Sequence, residues 1–216
     1  MKRTILTIFL LIFVYLNSQS VRAGLYSFEP VTGNSEYRYS MASQLSLELT
    51  PASAGQVLFT FYNDGPSGSN YDVDSPLTGS IAQVYFDNDG ASLSFDSFEP
   101  SAGVSFNLGA TPGNLPGGNN INPVFDASFS AGADNPAPDN GVNPGEYLGM
   151  LFNGDLSEVI SAIDTESLRI GMHVTGINGG TSDSYVLNII SNPVPGGFLL
   201  GFIGLIIAGV KLRKYA

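Results

Sequence analysis

The sequence predicts an all-β fold, an antiparallel, jelly-roll-like β-sandwich with one short helix and an apolar segment at each end of the chain. Three observations carry this expectation. Apolar and polar residues alternate with period two through most of Gly24–Asn192, the pattern of half-buried strands. Gly, Pro, Asn and Asp punctuate these runs at short intervals, as the turns of a sandwich require. Only one stretch switches to helical spacing. The composition agrees, since 216 residues, 43% hydrophobic and with 14 Phe and 10 Tyr, can fill one core. The absence of Cys removes disulfides, thiol nucleophiles and Cys-ligated zinc.

In chain order, Met1–Ala23 reads as a secretory signal peptide. Lys2-Arg3 is a basic start, Ile5–Leu16 is an apolar run without charge, and Val21 and Ala23 are the small residues that precede a cleavage point. Cleavage is expected after Ala23, and residues 24–191 then form one exported domain. Its first strands are marked by Leu45, Leu47 and Leu49, by Val57, Phe59 and Phe61, and by Val84 and Phe86 against Gln83 and Tyr85. Asp87-Asn88-Asp89-Gly90 reads as a hairpin turn into the run around Leu93 and Phe95. Asn63–Gly79, Gly109–Asn122 and Gly132–Gly145 are polar, Gly- and Pro-rich loops, long enough to be functional or disordered. The helix starts at Asp155, a capping residue with Glu158 three positions on, and shows Val159, Ile160 and Ile163 on one face. Leu168, Ile170, Met172 and Val174 return to strand alternation, and Asn178-Gly179 turns the chain into Tyr185–Ile190.

Residues 192–216 form the second apolar end. Pro193-Val194-Pro195-Gly196-Gly197 leads into Phe198–Val210, which carries no charge, and Lys211, Arg213 and Lys214 follow. Gly196–Val210 is 15 residues, about 22 Å as a helix against a hydrocarbon core of about 30 Å. Snorkelling of the terminal bases makes up the difference. The expectation is a transmembrane helix whose stop bases stay inside, with residues 24–191 outside. A Pro-rich signature, a short Gly-containing apolar helix and a basic end resemble the PEP-CTERM sorting tail, here with Val194 where the family carries Glu. The resemblance implies an exosortase-like enzyme that removes the helix and passes the protein to the cell surface. More loosely, Pro112–Asn120, Gly145–Gly149, and Arg169–Val174 with Gly179–Ser184 resemble domains found ahead of such tails. Those relatives imply an exported surface protein, in some cases associated with exopolysaccharide and biofilm.

Charge separates the domain from its ends. Between Gly24 and Pro195 only Arg38 and Arg169 oppose all 19 acids, a formal charge of −17, which excludes binding to a nucleic-acid backbone. His173 is the sole histidine, on the polar phase of its run, and no nucleophile motif accompanies it. Asp72 and Asp74, and Asp87 and Asp89, place oxygen ligands in loops that could take calcium outside the cell, although neither pair has EF-hand spacing. Calcium is the one cofactor the sequence suggests, and no catalytic residue is assigned. Tyr62, Tyr71, Tyr85 and Tyr147 are the aromatic candidates for sugar contact. The leading expectation is a non-catalytic surface or extracellular-matrix protein. A polysaccharide-binding module, calcium-assisted or not, is the alternative, and a glycoside hydrolase using two carboxylates is the third.

Overall fold

A computed structural model describes residues 24–63 and 77–188. The signal peptide, the sorting tail with Pro193, Val194, Pro195, Lys211, Arg213 and Lys214, and the loop residues Tyr71, Asp72 and Asp74 lie outside the described residues. Among the described residues, no helix is long and apolar enough to cross a membrane.

The expected antiparallel all-β architecture is present. Its ten strands are β1 (Gly24–Pro30), β2 (Leu45–Pro51), β3 (Gln56–Asn63), β4 (Ser80–Asn88), β5 (Ser94–Pro100), β6 (Phe106–Leu108), β7 (Phe129–Ala133), β8 (Tyr147–Asn153), β9 (Leu168–Ile177) and β10 (Thr181–Asn188). They join in one hydrogen-bonded order, β5-β8-β3-β2-β1-β10-β9-β4-β7-β6. The sheet curls until its two halves face each other across the core. Phe59 on β3 meets Phe86 on β4 edge to face, with ring centroids 5.6 Å apart. Phe152 on β8 meets Phe86 at 5.3 Å and Phe129 on β7 at 5.5 Å. The end strands β5 and β6 are not hydrogen-bonded to one another. Instead, Phe95 of β5 stacks on Phe129 at 5.7 Å, so aromatic rings bridge a seam that the backbone leaves open.

The core follows from the alternation. Leu45, Leu47, Leu49, Val57, Phe59, Phe61, Val84, Phe86, Leu168, Ile170, Met172 and Val174 are all buried. A slip of one residue in any of these strands would turn its apolar side chains outward, so the pattern specifies the register. The β9–β10 hairpin forms as expected, with Asn178 at φ 44° and Gly179 at φ 95°. The expected β4–β5 hairpin does not. Asp87–Gly90 turns the chain, but β4 pairs with β9 and β7 while β5 pairs with β8. The segment is a crossover between the facing halves, held by Asn88 Oδ1 accepting from the Ala91 amide at 2.8 Å and by the Asp89 amide donating to the Ser167 carbonyl at 2.8 Å.

The expected helix is α3 (Leu156–Asp164), following the short α1 (Arg38–Ala42) and α2 (Ala137–Asn140). Those two span about one turn each, too few residues to print a helical period. Asp155 Oδ1 caps α3 by accepting from the amides of Ser157 and Glu158 at 2.9 and 3.1 Å. Glu158 reaches away from the helix to accept from the Ser92 amide at 3.0 Å, tying α3 to the crossover rather than closing a capping box.

Two placements bear on function. Gly109–Asn122 is no idle loop, because its chain lies over the outer face of β4, β9 and β10. There Leu115, with Phe125 just beyond the stretch, buries Tyr85 in a second small core. The first and last described strands are also neighbours. β1 and β10 are adjacent and antiparallel, with Ser27 opposite Asn188, so Gly24 and Asn188 leave from the same end of the sheet.

Candidate functional site

The chemistry-bearing residues fall into four groups. Asp87 and Arg169 face each other on the outer side of β4 and β9. Both are largely buried, and the Arg169 guanidinium pairs with Asp87 Oδ2. The same oxygen accepts from the Asp126 amide at 2.9 Å, and Arg169 also donates to the carbonyls of Pro123 and Val124. This ion pair clips the 109–127 segment to the sheet. Asp89, the suggested calcium ligand two residues on, is exposed on the crossover turn. Among the described residues, no group of three or more His, Asp or Glu side chains is placed to hold a metal ion.

His173 Nδ1 lies 2.7 Å from Gln83 Oε1, across the β9–β4 pair. Burial holds its pKa below the ordinary imidazole value, opposed by the more distant charge of Asp183. Asp183 is fully buried. Its carboxylate accepts from Thr32 Oγ1 and from the amides of Asn34 and Ser35, each at 2.8 Å. A carboxylate holding three donors at once fixes the path of residues 32–35. Nothing in the spacing of Thr181-Ser182-Asp183-Ser184 announces this, since Thr32 and Asp183 meet only once β1 and β10 have paired.

At the end of the sheet opposite Gly24 and Asn188 lies an open, polar groove of about 490 Å³. It is lined by Asn34, Ser35, Glu36, Tyr37, Ile177, Asn178 and Thr181. A smaller cleft of about 330 Å³ opens along the seam between Phe86, Phe95, Phe129 and Phe152. Its rim groups Asn88 and Ser128 are already bonded to neighbouring backbone.

The fourth group is aromatic and partly open. Tyr62 on β3 and Tyr147 on β8 are direct cross-strand partners on the outer face. Their rings lie 5.9 Å apart at 49°. The Tyr62 hydroxyl donates to Glu48 Oε2 on β2 at 3.2 Å. Burial, then the charge of Glu48 and the bond to it, push the Tyr62 hydroxyl above its usual pKa. Tyr147 is 40% exposed, and its backbone is held by Ser101 Oγ, which accepts from the Tyr147 amide at 3.0 Å. Of the sugar-contact candidates, the structure therefore brings Tyr62 and Tyr147 together. The expectation for Tyr85 is corrected. That residue is fully buried beneath Leu115 and Phe125, with its hydroxyl donating to the Pro112 carbonyl at 3.0 Å. Alternation put Tyr85 on the polar phase but could not show that a loop covers that phase.

Among the described residues, no cation stands near this pair to offset Glu48. The two arginines there are both engaged, Arg169 with Asp87, and Arg38 with the Ser35 carbonyl and the Tyr39 ring. No protein-family model, curated protein or solved structure matches the chain.

Proposed function

We propose that the chain is an exported, non-catalytic β domain that acts at the cell surface or in the extracellular matrix. Met1–Ala23 directs export, and residues 192–216 carry the domain to the membrane. There an exosortase-like enzyme reads Pro193-Val194-Pro195, and Lys211, Arg213 and Lys214 stop transfer. The curled sheet serves as a two-layered, sandwich-like body with polar loops as its contact surface. One observation chiefly supports this reading: Gly24, the residue after the expected cleavage point, opens β1 beside the end of β10. The leader and the tail thus attach at one end of the body, leaving the other end and the outer faces to meet partners. The engagement of Asp87, Arg169, His173 and Asp183 in holding loops and strands favours a structural use of these groups over a catalytic one.

The test is mass spectrometry of the native protein with fractionation of the cells that make it. A chain beginning at Gly24, found with the envelope or outside the cell and lacking the 198–216 segment, is the expected result. A chain intact from Met1 to Ala216 in the cytoplasm would overturn the reading.

A further inference from the structure

We infer that Tyr62, Tyr147 and Glu48 form a binding platform for an uncharged, hydroxyl-rich polysaccharide. A pyranose ring has an apolar face of C–H groups and a rim of hydroxyls. Its recognition on a flat surface therefore calls for exposed aromatic faces with a fixed acceptor beside them. Tyr147 supplies an exposed ring and Tyr62 a half-buried one on the adjacent strand, tilted rather than packed flat on each other. Glu48 supplies the acceptor. Its Oε2 is held by the Tyr62 hydroxyl, which leaves carboxylate lone pairs for sugar hydroxyls.

The platform is built on strands and not on loops. β2, β3 and β8 are interior strands of the order, and a tyrosine has only two side-chain torsions to fix on binding. The entropic cost of contact is therefore small. Charge selects the class of polymer. The segment from Gly24 to Pro195 has a formal charge of −17, and the described arginines are engaged elsewhere. A polyuronate or sulfated chain is repelled, whereas a neutral glycan is not. The cross-strand contact of two tyrosines explains their pairing, and Tyr147, at the start of β8, stays 40% exposed and open to contact. Sugar binding concerns the folded domain and holds whether or not the termini are processed.

The experiment is affinity electrophoresis of the full-length protein in mild detergent. It runs through gels containing hydroxyethylcellulose or dextran as neutral probes, and alginate as the anionic one. Migration is expected to slow in at least one neutral gel and to be unchanged by alginate. Tyr147→Ala should weaken the retardation about tenfold, the loss of one ring's contact. Tyr62→Phe, which keeps the ring and drops the hydroxyl, should weaken it less. Tyr39→Ala, at a tyrosine 66% exposed on α1, should leave it unchanged. Matching thermal transitions for wild type and Tyr147→Ala keep a loss of binding distinct from a loss of fold. Free migration in both neutral gels, retardation by alginate alone, or retardation that survives Tyr147→Ala would each overturn the inference.

Discussion

At the scale of single residues, the strongest commitments are buried charges and a missing side chain. Arg169 is the only countercharge to Asp87 among the described residues, and both are largely withdrawn from water. Removing one partner leaves the other charge buried and unpaired, which costs about 3–5 kcal/mol. Arg169→Met should therefore lower the urea midpoint sharply, while the paired change Arg169→Met with Asp87→Leu should recover much of the loss. Gly171 works by absence. A Cβ there would come within 2.8 Å of Leu115 Cδ2, so Gly171→Ala should cost about 1–3 kcal/mol through overpacking. Adding Leu115→Ala should relieve that steric penalty, which a double-mutant cycle would show as favourable coupling. His173 sets a pH dependence. Its folded pKa lies below the ordinary value because burial disfavours the charged ring, so the unfolded chain takes up the proton first. Stability should fall as pH drops below about 6.5 and level off once the pH passes beneath the depressed value. His173→Gln should flatten that part of the profile, measured by denaturation across pH.

At the scale of elements, α3 shows what local sequence can and cannot say. Asp155, Glu158 and the apolar face mark the helix, and the cap forms as those residues imply. Asp155 is fully exposed and its carboxyl is held below the usual range by its bonds to Ser157 and Glu158. Asp155→Ala should therefore lower the melting temperature at neutral pH. The difference should vanish as pH falls through the depressed value and the carboxylate is protonated. Strand alternation was legible for the same reason the cap was, since period-two burial and capping are both local. The partners were not. Asp87–Gly90 has the residues of a tight hairpin, yet β4 and β5 end in opposite halves because β8 and β9, far along the chain, pair with them instead. Tyr62 and Tyr147 were both visible as aromatic candidates, but that they are neighbours became apparent only with the β3–β8 register. The 109–127 segment reads as loop because its apolar residues, Leu115, Ile121 and Phe125 among them, have no period, although they close a second core.

At the scale of the whole molecule, the sheet has a firm middle and a softer margin. β1 and β10 are hydrogen-bonded on both sides, whereas β5 and β6 end the order, and the seam between the two margins is bridged by the ring of Phe95 on β5 stacked on Phe129 of β7. Amide exchange should be slowest along β1, β10 and β9 and fastest along β6 and the free edge of β5. Asp96, Glu99 and Pro100 line that edge strand, which also carries a bulge between Phe95 and Ser97. These features discourage edge-to-edge pairing between copies. The adjacency of Gly24 and Asn188 has a mechanical consequence. A pull arriving from beyond Asn188 enters through β10, the sixth strand in an order of ten. Where that pull runs along the strand's axis, it strains the ladders to β1 and β9 together in shear. An edge strand would have one such ladder to resist the tug, whereas β10 has two.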